Sequence, residues 1–169
     1  MPSDALTEWR RTGLQRLSEL EGLRARDPAE GNGRGLATAQ LNQALLVMLV
    51  AQFQRFCRML HDEAAEVHLA AASATQRAML RQLLTQGRRL DVGNPRSSSL
   101  GSDFGRLGFA LIPALRSSAP KASADLARLE AIVDLRNAIS HGDELSIDRD
   151  ESRSGATVNM RSYRRNRPR

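Results

Sequence analysis

The chain has 169 residues, 41% hydrophobic and 26% charged, which suits one domain with a core of its own. Aromatic residues are only 4%, and strong helix formers dominate, so a β-sandwich or barrel is excluded in favour of an all-α fold. The formal net charge is +6, but residues 149–169 alone carry seven arginines against Asp150 and Glu151, which leaves residues 1–148 nearly neutral.

In chain order, Asp4 to about Arg26 reads as a first helix, with Leu6, Trp9, Gly13, Leu17 and Leu20 recurring every three to four residues. Asp27–Gly35 is broken by one Pro and three Gly and reads as a loop. A long helix from about Thr38 to Ala72 follows, with Leu41, Leu45, Leu49, Phe53, Phe56, Leu60, Ala64 and Val67 on one stripe. Over Leu45–Val50 it is apolar nearly all round, more than a four-helix monomer covers, and this predicts a homodimer. Cys57, the only cysteine, lies within this helical pattern and reads as a small core residue; alone it can form no intrachain disulfide. A third helix starts at Thr75 and carries Met79, Leu83 and Leu90.

Asp91–Gly108, with four Gly, Pro95 and a run of serines, reads as one long irregular loop in which Ser102 caps at most a short turn. A short apolar segment, Phe109–Leu115, precedes a last helix capped by Ser123, running to His141 and stopped by Gly142. The expected architecture is an up-and-down bundle of four main helices over residues 1–148, followed by a basic tail, 149–169. Within that tail Ala156–Tyr163 alternates weakly, as a marginal strand would, though a mobile tail is the simpler reading, and the arginines suit contact with RNA phosphates, a solubilising end or a partner's docking strip equally. The longest apolar run, Ala44–Ala51, is far short of the roughly 20 residues that span a bilayer. With no basic region leading into an apolar stretch at the N-terminus, the expected compartment is the cytoplasm, with no membrane partner.

One feature of the last helix carries chemistry. On a helical wheel Leu126, Leu129, Ile132, Val133, Leu135 and Ile139 form an apolar arc, and Arg136 falls near its centre. Ser140 lies on the same arc, with Asn137 and His141 on its rim. A guanidinium there needs compensation: a buried carboxylate, a cleft, or a partner subunit. Asp62, Glu63 and Glu66 of the long helix are the carboxylates available for a structural ion pair. Arg58 suits an i,i+4 pair with Asp62, and Arg55 suits the surface. His61 and His68 flank the same acids, but no His-Glu-x-x-His spacing occurs and no metal site is expected.

The sequence Leu135-Arg136-Asn137-Ala138-Ile139-Ser140-His141-Gly142 resembles the end of the last bundle helix in the HEPN superfamily. The likeness is an Arg, four residues and a His, with Asn directly after the Arg and a small residue after the His, and it extends over about residues 4–142. The resemblance implies a metal-independent, cofactor-free RNA endonuclease acting as a homodimer, with Arg136 and His141 at a dimer cleft and Asn137 and Ser140 in support. Toxins and phage-defence effectors, paired with an antitoxin or regulatory protein, are the expected biological settings. The residue types suit that chemistry: an Arg grips a phosphate bidentately, and a His moves a proton near neutral pH. RNA supplies its own nucleophile, the 2′-hydroxyl. Asp143 stands where some members carry Tyr, two residues after the His. The competing reading is a non-catalytic interaction or regulatory module on the same fold.

Overall fold

The computed structural model describes residues 3–26 and 34–142. All regular structure among them is helical. The chain opens with α1 (Asp4–Glu8), a π-helical segment (Trp9–Gly13) and α2 (Leu14–Arg26). The long α3 (Arg34–Leu69) and α4 (Ala74–Thr85) follow. Three short helices, α5 (Arg89–Val92), α6 (Ser97–Gly105) and α7 (Leu111–Ser118), lead into α8 (Ala122–Ser140).

The first helical stretch begins where Ser3 accepts the Leu6 N–H at 3.1 Å. Glu63 of α3 accepts from the Ser3 hydroxyl at 2.7 Å and from the Ala5 N–H, so a carboxylate sits at the positive end of α1. The widened π turn places the Trp9 ring over Gly13, where a Cβ would stand 3.0 Å from the indole. The same indole lies 6.3 and 5.7 Å from the rings of Phe53 and Phe56, which locks α1 antiparallel to α3.

α3 is the hub. α1, the π segment, α2, α4, α5, α6 and α8 all pack on it, whereas the backbones of α1–α2, α4 and α8 make no close approach to one another among the described residues. The main core gathers Cys57 and Ala65 of α3 with Leu90, Leu100, Phe104 and Leu107, so Cys57 is the buried apolar residue expected of it. Burial pushes its thiol up to about 12.

The reading of Asp91–Gly108 as one irregular loop is corrected: α5 and α6 occupy most of it. Gly and Ser are weak helix formers, but α6 gains Leu100 and Phe104 as buried core residues, and tertiary burial overrides propensity. α4 ends at Thr85, short of Leu90, and starts on a Ser73–Gln76 capping box. Pro113 stands in the first turn of α7, where its missing N–H costs nothing. α8 begins at Ala122 after Lys121, with no side-chain cap from Ser123. The basic tail, its marginal strand and the 1–148 boundary lie outside the described residues.

A buried polar knot ties α3 to α5 and α6. The Asp103 carboxylate accepts the backbone N–H groups of Arg89 and Leu90 at 2.9 and 2.8 Å, which caps α5 from another helix. The Asp103 carbonyl lies 3.0 Å from His61 Nε2; a carbonyl only accepts, so Nε2 carries the proton. His61 Nδ1 is then the acceptor for Arg88 Nη1 at 3.3 Å. Arg88 also grips Asp91 with two donors at 3.1 and 3.2 Å and reaches Asp62. Asp62 therefore pairs with Arg88, not with Arg58 as the helical spacing suggested.

Burial holds the His61 ring below its ordinary 6.5; the Asp103 carbonyl opposes this and the Arg88 charge adds to it. The unfolded chain accepts a proton that the folded one resists, so stability is full above about pH 6.5 and falls as the pH drops below it. Thermal melts between about pH 7.5 and pH 5 are expected to show that decline. His61→Gln should melt lower throughout but lose the slope in this window.

Candidate functional site at the end of the last helix

The carboxyl end of α8 is terminated by local geometry. The His141 N–H reaches the carbonyls of Asn137 and Ala138 at 3.0 and 3.2 Å, and Gly142 turns the chain at φ +78°. The helix therefore stops where Gly142 predicted, and the His141 side chain stands exposed at its last turn.

Arg136 is half-buried one turn earlier. Its Nη1 donates to Asn137 Oδ1 at 3.3 Å, and the same oxygen accepts from Asn94 Nδ2 at 2.8 Å. Ser140 turns its hydroxyl back onto the Arg136 carbonyl at 3.0 Å, so it serves the helix backbone. Among the described residues no carboxylate lies within ion-pair distance of Arg136 (Asp143 is outside them). Nor does a hydrogen bond among the described residues join Arg136 to His141; the two share one helix end without touching.

The structural ion pair with Asp62, Glu63 or Glu66 is thus corrected, because each acid is taken. Asp62 binds Arg88, Glu63 caps α1, and Glu66 holds Arg81 through two bonds of 2.8 and 2.9 Å. Arg55 pairs with Glu8 at 3.2 Å on the surface. The apolar arc on which Arg136 was placed is not one buried stripe either. Burial is deepest at Val133 and Ala138, which face different sides, because α3, α6 and α7 all pack against α8. That spread relieves Arg136 of full burial. Among the described residues no group of three or more His, Cys, Asp or Glu is placed to hold a metal ion; His61 belongs to the polar knot, and His68 packs on Phe109 at 5.6 Å.

The connection between α5 and α6 is the part of the site that sequence reasoning missed. Gln54 of α3 donates to the carbonyls of Leu90 and Gly93 at 2.6 and 2.7 Å. Pro95 is fully buried. Arg96 reaches Glu130 at 2.8 Å and also Asp134, while the Ser97 N–H binds Glu130 at 2.8 Å. Burial pushes the Glu130 carboxyl up, but the Ser97 and Arg96 donors outweigh this and hold it below the usual 4.5. Glu130, Asp134 and Asn137 form one polar row along α8, and that spacing was the available signal. Nothing local marked Asn94–Ser97 as its partner.

No protein-family model, curated protein or solved structure matches this chain.

Removing Arg136 orphans no carboxylate among the described residues. Arg136→Ala is therefore expected to change unfolding free energy by less than about 1 kcal/mol in urea melts. Arg96→Ala, which strips two carboxylates of a half-buried partner, should cost more, about 1–2 kcal/mol.

Proposed function

We propose that this protein is a metal-independent RNA endonuclease of the HEPN type, with Arg136 as the phosphate ligand and His141 as the general acid or base. The observation that carries the reading is the state of Arg136: half-buried, oriented by an amide, and free of carboxylates among the described residues while every acid suggested for it is engaged elsewhere. A guanidinium left unneutralised at a helix end keeps its donors for an anion. His141 stands one turn away with its ring in solvent, so it can meet a 2′-hydroxyl or a leaving 5′-oxygen. Attack of the 2′-oxygen on the adjacent phosphorus would leave a cyclic phosphate and a free 5′-hydroxyl. One group must take the 2′ proton and another must supply the 5′ proton. Two copies of His141 across a dimer fill both roles.

The apolar collar of α3 supports that dimer. Leu45, Leu46, Val47, Met48 and Leu49 are all only half-buried, and within Leu45–Val50 burial is complete only at Val50. A second copy would remove this surface from water. Light scattering at micromolar concentration is expected to give twice the 18.6 kDa chain mass. A purely monomeric species would end the two-histidine scheme.

Cleavage is tested with purified protein and RNA in excess chelator. The wild type is expected to cut; His141→Ala should lose about 10²–10⁴-fold, the span for a lost acid or base. Arg136→Ala should lose RNA affinity as well as turnover, because the guanidinium meets phosphate before and during reaction. A wild type that binds no RNA and cuts none would leave the non-catalytic interaction module.

A further inference from the structure

Asn94 is two helices removed from the Arg136–His141 sequence, yet its side chain reaches that site. Its Nδ2 donates to Asn137 Oδ1 at 2.8 Å, and Arg136 Nη1 donates to the same oxygen at 3.3 Å. Two donors converging on one end of an amide decide its orientation: Oδ1 faces them, and Nδ2 is the end left over. An Asn137 held this way adds two N–H donors to those that Arg136 keeps. Without Asn94 the amide can turn over, because the guanidinium alone holds its oxygen, through a bond at the long end of the normal range.

The segment that carries Asn94 is pinned on both sides. Gln54 fixes the Leu90 and Gly93 carbonyls before it. After it come a fully buried Pro95, then Arg96 and Ser97, both bound to α8 through Glu130 and, for Arg96, Asp134. Such a strap gives the side chain between its anchors little freedom. Its bonds to Glu130 and Asp134 hold the segment against α8 through residues other than Asn94, whose side chain is thus left to Asn137.

We propose that Asn94 is a positioning residue that orients the Asn137 amide, so that Asn137 and Arg136 present their N–H donors to one phosphate of an RNA backbone. The relay itself stands on the three side chains; its phosphate role rests on the functional reading above.

The test uses the full chain and a short single-stranded RNA oligonucleotide in chelator, with Asn94→Ala, Asn137→Ala and the double variant. Asn94→Ala is expected to weaken binding about tenfold, the scale of one charge-assisted hydrogen bond, with the melting temperature held within about 5 °C. The double variant should bind no worse than Asn137→Ala alone, because both break one relay. The Arg136 Nε–Hε resonance should shift in Asn94→Ala. Losses that add in the double variant, or an Arg136 resonance that does not move, would overturn the relay. A wild type that binds no oligonucleotide while the resonance still shifts would overturn the phosphate role together with the nuclease reading, and would leave the relay established.

Discussion

The Asp103 carboxylate, capping α5 from inside α6, is the constraint on which the path from α5 to α8 depends. A four-residue helix such as α5 has too few internal hydrogen bonds to stand alone, and its amino end would otherwise be buried without partners. Asp103 satisfies those donors, and its carbonyl holds His61 of α3. Arg88 then closes the knot onto Asp62 and Asp91. Once α5 is fixed against α3, the chain leaving it can follow only one path, past Gln54 and Pro95 to the polar row on α8. The carboxyl end of α8, with Arg136 and His141, is thus placed by a chain of polar contacts that begins in the core.

Apolar packing alone would not deliver this precision. α3 gathers the other long helices without close backbone approach among them, so apolar area alone fixes their position along it only loosely. Direction and register come from discrete contacts instead: the Trp9 ring on Gly13 and the two phenylalanines for α1, and Glu66 on Arg81 for α4. For α8 they come from Glu130 and Asp134 on Arg96. Hydrogen bonds and ion pairs of this sort add little net stability, but an unmade one is expensive where it is half-buried, so they select one arrangement among several apolar ones.

What was legible in the sequence follows the same division. The span of α1 and α2 and the Gly142 stop are local signals, and each is found in the structure; the α3 stripe is found only in part, since Phe53, Phe56, Leu60 and Ala64 pack on the core while the buried line runs through Val50, Cys57, Ala65 and Leu69 and leaves Val67 exposed. The amino-terminal box of α4, Ser73 with Gln76, was equally local and readable, and it starts the helix at Ala74, one residue before the start assigned at Thr75. α6 was not readable, because its serines and glycines speak against a helix while its stability comes from Leu100 and Phe104 meeting residues of α3. At the site, Arg136, Asn137, Ser140 and His141 could be named because they share one helix end. Asn94 could not, since it lies 43 positions from Asn137 and no periodicity links them. The same non-locality misled the ion-pair expectation: Asp62 and Glu66 looked available only because Arg88 and Arg81 approach from beyond the next turn of chain.

Three arginines of the carboxyl-terminal half, the buried Arg88 and the half-buried Arg96 and Arg136, make the electrostatic argument sharpest when set side by side. Arg88 meets two carboxylates and a histidine, and Arg96 meets two carboxylates; both are neutralised where they stand, and both join helices. Arg136 has an amide oxygen for its partner among the described residues. An amide orients a guanidinium without cancelling its charge, which a carboxylate cannot do. A charge left whole among the described residues and held still by an amide is a small cost to folding at a half-buried position. It is also the condition that electrostatic stabilisation of a phosphate requires, because donors fixed beforehand need no reorganisation when the anion arrives. Among the described residues, carboxylates meet the arginines that join helices, and none lies at ion-pair distance from the arginine at the end of α8.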